Sequence, residues 1–171
     1  MAYFSELFSP ETYESFSISN RDITGFHLRQ EKAASRIKIG DKFICYMVKL
    51  SRWIGVLEVS SKYFRDNSPL FYTSNDPYLI RFKVKSLVWL PKEKSIPIHD
   101  DQVWANLSFT KNNDKRGSAW TGKIRNSLIA LDEDDGEFLE KLIYSQFKND
   151  KIFKIDDHEY TKYLKPKVQT P

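Results

Sequence analysis

The stretch RGSAWTGKIRNSL, residues 116–128, concentrates the side chains best suited to chemistry. From Gly117 it runs G-x-x-x-x-G-K, the spacing of a loop whose amides and lysine cradle a nucleotide's phosphates. Such a loop needs Ser or Thr next, because that hydroxyl ligates magnesium. Ile124 stands there instead. An apolar strand should also lead into the loop, and the residues before Arg116 are TKNNDK. Nucleotide hydrolysis is therefore not expected. What remains is two glycines, Trp120, and the cations Lys115, Arg116, Lys123 and Arg125, a combination suited to a polyanion.

Other catalytic constellations are missing. His27, His99 and His158 lie far apart and Cys45 is the only cysteine, so zinc is not expected. DEDDGE, 132–137, is similar to a calcium loop, but its glycine falls one position early and the closing glutamate is absent. Carboxylates at the start of a helix explain it better, through the positive end of the helix dipole. No D/E-x-K triplet suits a metal-dependent nuclease, and no G-x-S-x-G elbow occurs. Cys45 sits in an apolar strand, where a thiol is inert packing. The chain reads as a binder without cofactor.

Bulk properties agree. At 171 residues one domain is expected, with a core of ordinary size. Net charge is +4, which favours an anionic partner. The aromatic content of 15% is high and suits both core packing and stacking platforms. A single cysteine fits a reducing, cytoplasmic setting. MAYFSELF lacks the basic lead of a signal peptide, and no apolar run is long enough to cross a membrane.

The elements that must position these residues follow from periodicity. AYFSELF reads as a strand, and Ser9-Pro10 as the cap and first position of a brief helix. RQEKAASR is a second short helix, and Gly25-Phe26 ahead of it reads as loop. Residues 43–48 are apolar on both faces, and RWIGVLEVSS follows closely enough for an antiparallel hairpin. Gly55 marks a bulge or a close approach. Residues 64–77 read as loop, YLIRFKVKSLVWL as the longest strand, and 99–107 and 119–147 as helical, broken near Asp132. Residues 148–171 read as a lysine-rich tail or linker after a domain spanning 1–147. The pattern is α+β: a small, mostly antiparallel barrel with flanking helices.

In order, Gly25-Phe26, Ile37, Gly40-Asp41, Tyr46, the run Gly55–Ser60, and Tyr78 with Arg81 resemble the EVE domain of the PUA-like superfamily, over about residues 2–145. The start departs, with Tyr3-Phe4 where that family often has Tyr-Trp. The resemblance implies a twisted barrel with a cavity on one side. It also implies a reader of a flipped, modified base (5-methylcytosine or 5-hydroxymethylcytosine) in double-stranded DNA, serving modification-dependent restriction beside a nuclease or NTPase subunit. The related YTH and SRA domains hold such bases in aromatic cages.

On that reading the base pocket is expected from Phe26, Tyr46, Trp53 and Trp120, with Asn20 and Ser5 on the base edge. Phosphates would meet Lys115, Arg116, Lys123 and Arg125, extended by Arg29, Lys32 and Arg36. For the aromatics the competing role is ordinary core, and for the cations a solvated face. Two alternatives stand beside modified DNA: an RNA-binding PUA-like module in RNA processing, and a protein-interaction domain with no nucleic-acid ligand.

Overall fold

Two apolar layers form because the strands near the chain's middle are hydrophobic on both faces. The structure, a computed structural model, describes residues 1–72 and 76–164. β1 (Tyr3–Phe8) leads through α1 (Pro10–Ile18) to β2 (Ile23–Phe26). A single helical turn over 28–30 runs into α2 (Glu31–Ala34), followed by β3 (Lys42–Met47) and β4 (Arg52–Val59). The chain continues as β5 (Phe64–Arg65), β6 (Ile80–Trp89), β7 (Ile96–Pro97), α3 (Asp101–Asn106), β8 (Ala130–Leu131), α4 (Glu133–Lys148) and α5 (Asp157–Tyr163). The sheet order is β2-β6-β4-β3-β1-β8, with β5 on β6 and β7 on β4. Among the described residues only β1 and β3 pair in parallel, with α1, β2 and α2 in the crossover between them. The result is the expected α+β half-barrel of mostly antiparallel strands.

Alternation along β3 supplies both layers. Phe43, Cys45 and Met47 enter one core, with Phe8, Phe16, Phe26, Phe82 and Trp89. Ile44 and Tyr46 enter the other, with Trp53, Trp104, Trp120, Leu139 and Ile143. Gly55 is both things expected of it. The β3–β4 register slips between Cys45 and Tyr46, and a Cβ on Gly55 would lie 2.5 Å from Cε3 of Trp89.

Helix α1 starts where Ser9 caps it, accepting from the Thr12 amide at 3.1 Å, with Pro10 in the first turn. Helix α4 presses Leu139 and Ile143 onto the second core. Its Gly136 admits the Tyr3 ring, since a Cβ there would sit 2.2 Å from Cγ and Cδ2. Gly136→Ala should destabilise the protein by about 1–3 kcal/mol, despite alanine's better helix propensity. Urea unfolding checks the sign; a stabilised variant would mean that Tyr3 moves aside freely.

Three expected boundaries moved. Residues 64–65, read as loop, form β5 against β6. Gly25 and Phe26 lie in β2, paired with Arg81 and Ile80 of β6, and are not loop. The helical stretch expected over 119–147 does break at Asp132, the N-cap residue of α4, but ahead of the break only 119–124 are helical and β8 intervenes. Part of the expected tail also packs. Arg52 donates to the carbonyls of Phe153 (2.9 Å) and Lys154 (2.8 Å), and Tyr160 of α5 is buried with its hydroxyl donating to Glu14. Residues 165–171 of that stretch lie outside the described residues.

Candidate functional site

One carboxylate of β1 faces an apolar layer. Tyr3, Ser5 and Leu7 alternate with Phe4, Glu6 and Phe8, so Glu6 faces the layer that holds Phe8 and Phe43. Its side chain is buried, Oε2 accepts from the Thr24 hydroxyl of β2, and Oε1 has no hydrogen-bond partner. Burial pushes its carboxyl up to about 8, partly offset by the Thr24 bond. A buried, half-satisfied carboxyl is costly in a structural core and needs a reason.

Glu6 lies on the wall of a cavity of about 690 Å³. β1 and the start of α1 form one side, with Gly25 and His27 of β2 and its exit opposite, and Phe71, Tyr72 and Tyr78 from the β5–β6 connection. α5 closes an edge with Tyr163. The rings form a connected set. His27 stacks on Tyr78 at 4.4 Å between centroids, and Phe71 and Tyr72 meet Tyr78 edge-on at 5.0 and 6.0 Å. The Tyr72 and Tyr78 hydroxyls are 3.1 Å apart, and burial with that bond raises the Tyr78 phenol well above its usual range. His27 Nδ1 lies 3.3 Å from the Asp76 carboxylate. Gly25 is required here, because a Cβ would come within 2.6 Å of Leu70 and 3.0 Å of the Tyr78 Cβ. Two other surface hollows, beside Tyr3 and beside Phe64, contain no unpartnered buried polar atom among the described residues.

The expected pocket residues are not gathered in this cavity. Phe26 is buried edge-on against Phe43 (5.6 Å) and Phe82 (6.0 Å). Tyr46 and Trp53 are buried in the opposite layer, 4.9 Å apart, and Trp120 packs there against Trp104 at 5.1 Å. The sheet separates Phe26 from these three, because β2 pairs at one edge and the hairpin alternates faces. Burial carries the Tyr46 phenol up to about 12. Trp120 donates to the Gly117 carbonyl at 2.7 Å, so it anchors the basic loop from inside. Ser5 is buried on the face away from Glu6, 3.3 Å from the Asn126 carbonyl. Asn20 is exposed in the turn before β2 and does not line the cavity.

The expected phosphate residues divide. Lys115 is engaged by Asp101 (2.6 Å) and the His99 carbonyl (2.7 Å). Lys123 reaches the Ala130 carbonyl at 2.9 Å and Arg125 the Thr121 hydroxyl at 2.8 Å, neither pairing with an acid in these bonds. Arg116, Arg29, Lys32 and Arg36 are exposed. The two basic segments meet where Gln30 donates to the Ser127 carbonyl at 3.1 Å. The Ser127 hydroxyl in turn accepts from the amide of Leu7, which lines the cavity. A basic surface thus adjoins the cavity's β1 edge.

Sequence reasoning missed Glu6, His27, Phe71 and Tyr72. A glutamate inside AYFSELF was a usable signal, because carboxylates are rarely buried without purpose. Phe71 and Tyr72 had none; they lie in a polar, proline-bearing connection. Within DEDDGE, Asp135 is buried and accepts from the Ser108 amide at 2.8 Å, in the first turn of α4.

No family model matches the chain. A UPF0310 protein of Pyrococcus abyssi is 26% identical over 137 residues, which cover 74% of this chain and 89% of that protein. The Pho92 YTH domain in complex with m6A superposes with a TM-score of 0.59 at 15% identity, covering 90% of this chain and 88% of that one. The YTH domain of the Zygosaccharomyces rouxii MRB1 protein, in complex with N6-methyladenosine RNA, gives 0.56 at 14%, with 90% of each chain covered. At such identities the shared property is the fold, which is PUA-like of the YTH kind.

Proposed function

We propose that this chain is a non-catalytic reader of a modified base in RNA, held in the cavity walled by His27, Phe71, Tyr72 and Tyr78 with Glu6 on its wall. The observation that carries the reading is the coincidence of connected rings and an unsatisfied buried carboxyl in one hollow. Its volume of about 690 Å³ is that of a small-ligand pocket. Rings contribute stacking of about 1–3 kcal/mol per base and tolerate any base type. The carboxyl supplies the edge contact that distinguishes one base from another.

The resemblance read from the sequence pointed to 5-substituted cytosine in duplex DNA for restriction. RNA is supported here by the YTH structures that share this fold and are named with RNA or m6A. A single-stranded partner also fits the physics, because an unpaired base spares the few kcal/mol needed to extrude one from a duplex. Lys49 at the cavity, with Arg29, Lys32, Arg36, Lys123 and Arg125 nearby, would follow the phosphates, and affinity would fall with salt.

Fluorescence anisotropy with matched oligonucleotides tests this: single-stranded RNA with and without one modified base, and duplex DNA with and without 5-methylcytosine. At least one modified RNA should bind best, and Tyr78→Ala should weaken it by roughly 10–100-fold, the worth of one stacking ring, without lowering the melting temperature of the core substantially. Indifference to modification, or preference for the methylated duplex, would refute the RNA reading.

A further inference from the structure

Building on the modified-base reading, we infer that α5 is a wall of the base pocket: its Tyr163 contacts the bound base, and Tyr160, clasped to Glu14 of α1, positions it for that contact. Residues that read from the sequence as tail or linker thus take part in binding. Their path shows how they arrive. α4 presses Leu139 and Ile143 onto the second core, whereas Tyr160 is buried in the first. Phe153 packs against the second and Ile155 against the first, so the chain passes from one layer to the other at Lys154. The crossing is pinned there. Buried Arg52 donates to the carbonyls of Phe153 and Lys154, and the Phe153 amide donates to the Glu93 carbonyl at 2.8 Å.

Beyond the crossing, Asp156 caps α5 by accepting from the His158 amide at 2.9 Å. Tyr160 is buried beside α1; its hydroxyl donates to Glu14, and Nζ of Lys92 lies 4.5 Å from its ring centroid. Glu14 itself lines the cavity. One turn on, Tyr163 falls on the same side of the helix as Tyr160, and it and Leu164 line the cavity too. Leu164 also packs against the first core, but Tyr163 belongs to neither core among the described residues. Its side chain is half-buried, with the hydroxyl 3.3 Å from Glu159 of its own helix. Tyr160, Ile155 and Leu164 suffice to cover the core, so Tyr163 is left to serve the hollow.

The segment is held by bonds to backbone carbonyls and one hydroxyl more than by a long apolar face, and Ile152 beside the crossing is exposed. Such segments open at a lower free energy than the sheet they cover. A base that stacks on Phe71 or Tyr78 and touches Tyr163 favours the docked α5 over the open one, because only the docked form offers that contact.

Fluorescence anisotropy and hydrogen exchange of the full chain test this. The probes are single-stranded RNAs of one sequence carrying N6-methyladenine, N1-methyladenine, 5-methylcytosine or no modification. Tyr163→Ala should weaken the modified RNA that the wild type binds best by about tenfold, the loss of one stacking ring. It should also cut the preference over unmodified RNA by at least about threefold, with a melting temperature within about 2 °C of the wild type. Tyr163→Phe should bind within about twofold. Tyr160→Phe keeps the ring and removes the bond to Glu14; it should weaken that RNA about threefold and speed amide exchange over 157–164. Saturating the wild type with the same RNA should slow those amides at least about threefold. If the wild type prefers a modified RNA and Tyr163→Ala leaves that preference intact, the inference falls and the modified-base reading stands. Unchanged exchange over 157–164 at saturation, or a Tyr163→Ala chain that melts well below the wild type, likewise overturns the inference alone. If no modified RNA is preferred over the unmodified one, both fall.

Discussion

Trp53→Ala should remove about 3–5 kcal/mol of stability, the loss typical of truncating a large buried aromatic side chain. The indole is fully buried in β4, between β3 and β7, with Tyr46 against it at 4.9 Å and Ile96 opposite on the neighbouring strand. Both layers are anchored on this hairpin, so a void there has no flexible neighbour to collapse into it. Nε1 of Trp53 is buried without a partner, which makes the side chain's packing, and not a hydrogen bond, the source of its contribution. Trp53→Phe should therefore retain most of the stability. Equilibrium denaturation of both variants checks this. An alanine variant that melts like the wild type but loses RNA would return Trp53 to the ligand wall that sequence reasoning assigned it.

Glu6→Gln should change how stability depends on pH. The folded carboxyl titrates near 8, against a usual value near 4.5, so the folded state holds a proton that the unfolded chain has released. Stability from this group is therefore complete below about pH 4.5, declines as pH rises, and is lost once pH passes about 8. Between those limits the wild type should lose on the order of 2–4 kcal/mol relative to the variant, which cannot titrate. The comparison is of slopes, because a glutamine amide at this site adds its own buried N–H groups. Parallel profiles for the two proteins from pH 5 to 8 would show that Glu6 is ionised in the folded chain.

These expectations rest on residues of unequal legibility. The strands at β1, β3, β4 and β6 and the cap at Ser9 follow from local pattern, because alternation and capping act within a few residues. So did the bulge at Gly55. The site followed less well. Ser5 was chosen on β1 where Glu6 faces the cavity, and a shift of one residue on a strand reverses the face. Phe26 was read as an exposed loop aromatic because the short β2 acquires its partner only from β6, more than fifty residues later. Trp53 and Trp120 were attractive as cage walls by residue type, yet burial is a property of what lies on both sides of the sheet.

By itself, then, the amino-acid order determined the α+β class, the main strands, a basic loop and an excess of rings. All of these are set by side-chain type and short-range spacing. Which rings share a hollow was decided in three dimensions. Tyr78 reaches His27 because β2 pairs with β6, Glu6 of β1 meets Thr24 of β2 inside one core, and α5 folds back to place Tyr163 at the edge. Each is a contact between residues distant in the chain, made favourable only once the sheet has curled and water has left its interior.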